Sequence, residues 1–231
     1  VHPRRQTALM GGMLYLANGT VDIYDSRAVV EAGFFVKPRI LSAVGSNGAG
    51  ALPSSVTLLV ATVFEWRDKL GNFHTSEPSD VSSVVMGAAD DTITVTPAPA
   101  PALMKQLSGD FRTVAYRSIS GIAQLRRAES VQGSGVITLL LGDATVRANG
   151  ILYTQAGRAA LGAILPHESP LPADYIWKFG SRLLTANANV AQVSKEIFPG
   201  EPVTWSGAVG FTVPSIPERI TGCAALDQRG F

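Results

Sequence analysis

The chain predicts an all-β protein, built from short antiparallel strands, with a β-sandwich set between two stretches of meander. Three observations lead there. Apolar residues recur at a spacing of two almost everywhere, as strands require, while stripes at helical spacing are nearly missing. The apolar runs are short. Gly (23) and Pro (14) punctuate them evenly along the 231 residues, which is the texture of strands joined by tight turns.

The first segment, residues 1–37, reads as blade-type meander. MLYLA is strand-like, NGT supplies a tight turn, and VDIYD alternates with Val21 and Ile23 on one face. A DSR turn then leads into AVVEAGFF.

Residues 38–143 change texture and read as an inserted β-sandwich. SNGAGALPSS is a Gly/Ser loop, followed by VTLLVATVFEWRD. There, alternate positions Val56, Leu58, Val60, Thr62, Phe64 and Trp66 make one face, which buries against a partner sheet. DKLGN turns the chain. FHTSEPSDVSSVVM continues as a second strand region with a kink at Ser-Glu-Pro-Ser, and DTITVTPAP, FRTVAYRS, AQLRRAES and VITLLLGD complete the set. Two short helices are the only candidates: PALMKQL at 101–107, opened by Pro, and QAGRAALGAI at 155–164, weakened by two glycines.

Residues 144–231 return to the first style. GILYT, YIWKF, RLLTA, AQVSK, VTWSG and GFTVP are strands of an antiparallel meander, consistent with propeller blades or a barrel. GGMLYLANG (11–19) and RANGILYTQAG (147–157) share a glycine followed by a Leu-Tyr strand, a weak internal repeat bracketing the sandwich. The chain opens on Val1 and closes on ALDQRGF, and is read as a piece of a longer or processed protein; no signal-peptide pattern opens it.

Composition narrows the function. Hydrophobic residues make 46% of the chain and charged ones 16%, with slightly positive mean hydropathy. That is apolar for an isolated chain and points to surface covered by neighbours. Nineteen basic residues against eighteen acidic ones leave +1, with no basic run interleaved with aromatics, so a nucleic-acid footprint has little support. One cysteine (Cys223) and three scattered histidines (His2, His74, His167) give no zinc spacing. The longest apolar run, at 56–64, is too short to cross a bilayer as a helix.

Several residues invite a sharper reading. Glu196 and Glu201 flank a Pro-Gly turn in VSKEIFPGEPVTW; a glycosidase pair is one reading, and a strand-end residue with a polar turn tip is the preferred one. Asp22 and Asp25 are weighed as calcium ligands against a solvated turn, and the turn is preferred. Asp90 and Asp91 read as a turn opening a strand. GSNGAG (45–50) lacks the Lys-Ser/Thr of a phosphate loop. Arg112, Arg117, Arg126 and Arg127 are weighed as a basic stripe against the wet face of a sheet, the latter preferred. Trp66 and Phe73 are the aromatic candidates for a glycan groove. Tyr175, Trp177 and Trp205 are candidate subunit-contact anchors, since Trp is rarely fully buried. No catalytic, cofactor or metal residue is assigned.

The order of Leu-Tyr-Thr (152–154), Gly-x-Arg-Leu (180–183), Ser-Lys (194–195), Pro-Gly-Glu (199–201) and Ile-Thr-Gly (220–222) resembles a pattern of bacteriophage tail proteins, the β-propeller hubs or nozzles of the tail's distal end. VFEWRDKLGNFHTSEPSDVSS is similar to fibronectin type III-like modules of the Ig-like class, where Phe-x-Trp precedes a Gly-Asn turn and a Ser-x-Pro-Ser segment. The resemblance implies a non-enzymatic virion protein of the tail. It would form a ring with itself and other tail proteins, with non-specific DNA contact in the lumen. A secreted or cell-surface β-sandwich module that binds glycan or protein is the alternative.

Overall fold

A computed structural model describes residues 6–108, 110–155, 164–197, 201–212 and 220. Strand accounts for 46% and helix for 6%, so the protein is all-β with antiparallel sheets. The first sheet is a four-stranded meander in chain order: β1 (Gln6–Met10), β2 (Met13–Asn18), β3 (Thr20–Tyr24) and β4 (Val29–Glu31). Its first turn is Gly11-Gly12, with φ of +58° and +78° between the paired Met10 and Met13. Two consecutive positive φ values make the two-residue turn whose twist matches the flanking strands.

Two further sheets face each other. Their strands are β5 (Ile40–Ser46), β6 (Thr57–Arg67), β7 (Phe73–Thr75), β8 (Ser82–Val85), β9 (Thr92–Pro97), β10 (Phe111–Ile119), β11 (Ile122–Gln132) and β12 (Ile137–Leu139). One sheet runs β12-β9-β5; the other runs β11-β10-β6-β7, with β8 also on β6. Between them lies a core that includes Leu58, Val60, Met86, Ile93, Val95 and Leu139.

Strand β6 departs from the expected one-faced alternation: every residue from Val60 to Trp66 is buried. Leu58 and Val60 enter the sandwich core. Ala61 and Val63 pack on the opposite face with Tyr116 and Leu152. Phe64 and Trp66 reach the core of the first sheet. This strand is therefore covered on both sides, as a central strand between layers must be.

The Ser-Glu-Pro-Ser kink also has a physical account. Between β7 and β8 the chain stays beside β6, but serine hydroxyls replace backbone acceptors. Ser76 Oγ accepts the Phe64 amide and Ser79 Oγ accepts the Thr62 amide, both at 2.9 Å. The Ser76 and Ser79 amides donate in return to the carbonyls of Phe64 and Thr62, at 2.9 and 2.8 Å. Each buried amide keeps a partner while the proline bends the chain. Ser194 repeats the device, accepting the Leu183 amide at 2.9 Å.

The last sheet is again a four-stranded meander in chain order: β13 (Tyr175–Phe179), β14 (Arg182–Asn187), β15 (Val190–Val193) and β16 (Gly210–Thr212). The first strands of the two meanders, β1 and β13, lie together. Ile176 N donates to Gln6 Oε1 at 3.4 Å, and Gly19 and Ala173 exchange backbone bonds at 2.9 and 3.1 Å. One core joins both meanders to the end of β6, including Met13, Tyr15, Phe34, Trp66, Ile176 and Trp205. Among the described residues no sheet closes on itself.

Some local expectations fail. GILYT is not a strand: Ile151 makes an isolated bridge to Arg126, and Tyr153 starts a turn. The Leu-Tyr repeat is therefore sequence similarity without a shared structure, since Leu14 and Tyr15 lie in β2. VTWSG contributes a single bridge, Trp205 to Glu168. A short helix, α1 (Asp143–Arg147), forms where a strand end was expected, opened by Gly142 and carrying Asp143 in its first turn. The 101–107 candidate becomes a 3₁₀ turn at Met104–Ser108. Most of the 155–164 candidate lies outside the described residues.

Candidate functional site

The loop that carries both glutamates is closed at its base by Lys195 N donating to Thr204 O at 2.8 Å. Ile197 N bonds Ser181 O at 3.0 Å, and buried Val203 ties the loop to the core. The closed loop turns Lys195, Glu196, Glu201 and Thr204 toward a cleft of about 480 Å³, lined further by Phe73, Tyr153, Ile164, His167 and Pro202. That volume lies within the range of small-molecule sites, roughly 300–1,000 Å³. The two glutamates do share a cleft, and Phe73 of the sandwich lines it together with Tyr153, Ile164 and His167.

The cleft's polar groups are mostly held in place. Tyr153 and His167 stack at 4.0 Å with 20° between the rings. The tyrosine hydroxyl accepts the His167 amide at 2.8 Å and donates to Ser76 O at 3.0 Å. His167 Nδ1 pairs with Thr75 Oγ1 at 2.8 Å. Burial, then the charge of Lys195, lowers the His167 imidazole to about 3, so it is neutral at ordinary pH. Lys195 donates to Leu165 O. Burial lowers its amine to about 8, and Glu168 pulls the other way. Glu196 is fixed by Ser181 Oγ at 3.2 Å and Arg182 at 3.7 Å. Phe73 stands half exposed at the rim, with the Arg67 guanidinium 5.7 Å from its ring centre.

Other candidates are placed differently. Trp205, expected at a subunit contact, is fully buried edge-on to Tyr15 at 5.9 Å. Tyr175 and Trp177 are only partly buried; their rings stack at 5.5 Å and 5° on the face of β13 opposite buried Ile176. Trp66, weighed for a glycan groove, is buried against His74.

The arginines form neither a stripe nor simply a wet face. Arg117 is buried, bonded to Asp143 at 2.7 Å and to the carbonyls of Ser118 and Leu141. Arg127 grips Glu65 with both terminal nitrogens, at 2.7 and 3.2 Å, and Arg112 approaches the same carboxylate at 4.0 Å. Arg126 bonds the carbonyls of Arg147 and Asn149.

The aspartates are turn fasteners. Asp25 is buried rather than solvated, and its carboxylate accepts the amides of Arg27, Ala28 and Lys69. Asp22 lies on β3 beside Thr20, with burial raising its carboxyl above the ordinary range. Asp90 accepts the Gly87 amide at 2.6 Å, and Asp91 accepts that of Gly48 at 2.7 Å, closing the GSNGAG loop. Among the described residues no three His, Cys, Asp or Glu side chains group as a metal site, and no helix is long and apolar enough to cross a membrane. His2 and Cys223, and Pro199 and Gly200 of the turn, lie outside the described residues.

Tyr153 and Lys195 are polar cleft residues that the sequence did not single out, and His167 was weighed there only among the scattered histidines. Their only local signal is Lys195 beside Glu196; nothing in spacing ties positions 73, 153, 167 and 195 together. No family model, no curated protein and no solved structure matches the chain.

Proposed function

We propose that the protein is a structural component of a bacteriophage tail, at the hub or nozzle. In this reading it assembles as a ring with copies of itself and other tail proteins in the virion. One observation supports the reading best. Two four-stranded meanders meet at their first strands and share a core, as neighbouring blades around an axis would, yet no described sheet closes. The outer strand of the first meander, β4, pairs with no further strand among the described residues; the 3₁₀ turn at 104–108 packs on it, and Lys105 donates to its Glu31 carbonyl. Val29 on it and Phe35 just after it are 46% and 53% exposed. Exposed apolar side chains beside an edge strand offer a surface for another chain, and cyclic symmetry covers such surfaces without leaving an end. In this arrangement Arg112, Arg117, Arg126 and Arg127 are already engaged, so passage of DNA does not rely on them as a stripe.

Light scattering and electron microscopy of the full-length protein, alone and with tail partners, test the proposal. A ring or tail-bound density is expected, and Val29→Lys with Phe35→Ser should abolish it without altering the sheet signal in circular dichroism. A monodisperse monomer that never joins a particle overturns it. The half-exposed Phe73 at the mouth of a polar cleft favours a second reading, a binding module for glycan.

A further inference from the structure

We propose that Lys105 and Glu31 are the two halves of an intramolecular cross-link, an amide bond that the folded protein forms between their side chains with loss of one water. The inference does not depend on ring assembly, so either can fail without the other.

The geometry holds two complementary reactive groups against each other. Lys105 Nζ stands 3.6 Å from Glu31 Oε1, unlinked in the structure. The lysine sits in the 3₁₀ turn at Met104–Ser108, which packs on β4. Its amine donates to the carbonyls of Glu31 and Gly33. The Met104 amide donates to Glu31 Oε2 at 3.1 Å. Both groups are thus oriented before any reaction, and well-oriented intramolecular partners react at effective molarities of about 10⁵–10⁸ M. Glu31 Oε1 is buried and, among the described residues, accepts no hydrogen bond, so no donor retains the oxygen that leaves.

The surroundings favour the neutral product. Both side chains are buried, and the rings of Phe34 and Trp66 cover the amine at 5.0 and 5.5 Å. Two full charges are costly in such a place, whereas a single amide carries none. Burial brings the amine down to about 8 against the pull of Glu31, so the uncharged, nucleophilic form is within reach.

A third group is placed to move the proton. Asp22 on β3 is the register partner of Glu31 on β4, and such partners share one face of the sheet. Burial raises the Asp22 carboxyl, against its bond to Thr20, and the Glu31 charge adds to the rise. The ammonium first passes one proton to the Glu31 carboxylate, and Nζ then attacks Cδ. The proton that Nζ sheds goes through Asp22 to the departing oxygen. One C–N bond forms, one C–O bond breaks and water leaves; nothing is oxidised or reduced, and no co-reactant is needed. Freshly folded protein holds the ion pair, and the bond accumulates on standing.

The test is intact-mass spectrometry of the full chain, unfolded after being held folded for increasing times up to several days. A species lighter by one water should accumulate, and fragmentation of its digest should show one branched peptide joining residues 31 and 105. Lys105→Arg keeps the cation, but its guanidinium stays protonated and does not react, so this variant should keep its full mass. Asp22→Asn, at a half-buried position, should slow the water loss about tenfold or more. Full sequence mass at every time overturns the proposal. So does a water loss that persists in Lys105→Arg, or one whose branch point lies elsewhere. Should Lys105→Arg fail to fold, the branched peptide of the wild type decides alone. An unchanged rate in Asp22→Asn overturns the proton relay.

Discussion

Replacing Lys105 by Met should destabilise the protein by about 3–5 kcal/mol, although the lysine itself is costly where it stands. Its amine is fully buried, donating to the carbonyls of Glu31 and Gly33 at the edge of the first meander. It sits 3.6 Å from the Glu31 carboxylate and 5.0 and 5.5 Å from the rings of Phe34 and Trp66. Burial lowers its pKa from 10.5 to about 8, with Glu31 pulling it up. Burying the cation therefore costs more than its partners return. Removing it alone is worse, because Glu31 is then a buried anion facing two carbonyls that have lost their donor. For a chain of this length the loss corresponds to a fall in Tm of about 6–20 °C. Adding Glu31→Gln keeps an acceptor for the Met104 amide, bonded at 3.1 Å, and should recover at least half of the loss. The pH dependence supplies a second readout. Between about 8 and 10.5 the unfolded chain holds the Lys105 proton and the folded one does not, so stability rises with pH there, by on the order of 1–2 kcal/mol. Tyr15, raised by burial, opposes the rise once the unfolded phenol ionises above about 10, so the window to measure is about pH 8 to 10. Urea unfolding of wild type, single and double variants across that window decides the matter. A single variant within about 1 kcal/mol of wild type, additive substitutions, or an unchanged pH slope would refute the reasoning.

Acid should destabilise the fold through His167: its folded pKa lies at about 3 against an ordinary 6.5. Between those values the unfolded chain takes up a proton that the native state refuses, and stability falls as pH falls, by up to about 1.4 kcal/mol per pH unit. His167→Gln, which keeps a partner for Thr75, should flatten that part of the profile, and an identical slope in the variant would count against it. Ser79→Ala leaves the buried Thr62 amide without its acceptor and should cost about 1–3 kcal/mol in denaturant unfolding. Ser42→Ala, on the exposed side of β5, should stay within about 0.5 kcal/mol; equal effects at the two sites would show that the hydroxyl bond at the kink is unimportant.

The sequence by itself determined the class and much of the punctuation, because both are local. A spacing of two requires strands, Asn18-Gly19-Thr20 supplies the tight turn between β2 and β3, and Ser-Glu-Pro-Ser announces a bend that a continuous ladder cannot make. The Gly11-Gly12 turn and the β1 strand before it came only with the structure. The aspartate turns at 25, 90 and 91 were legible for the same reason: a short carboxylate reaches nearby amides. The tertiary structure decided what covers each strand. Alternation marks one face of β6 as apolar but does not reveal that Ala61 and Val63 are buried on the other. It gives no hint that Trp205 is enclosed while Tyr175 and Trp177 are not. Charges behaved likewise: Arg117 finds Asp143 at a separation of 26 residues, and Lys105 finds the Glu31 carbonyl at 74. The Glu196–Glu201 loop was visible in the sequence, but its cleft was not, since the lining also comes from Phe73, Tyr153 and His167. Contacts of that range follow from how sheets pack, and a local pattern carries no record of the face it will meet.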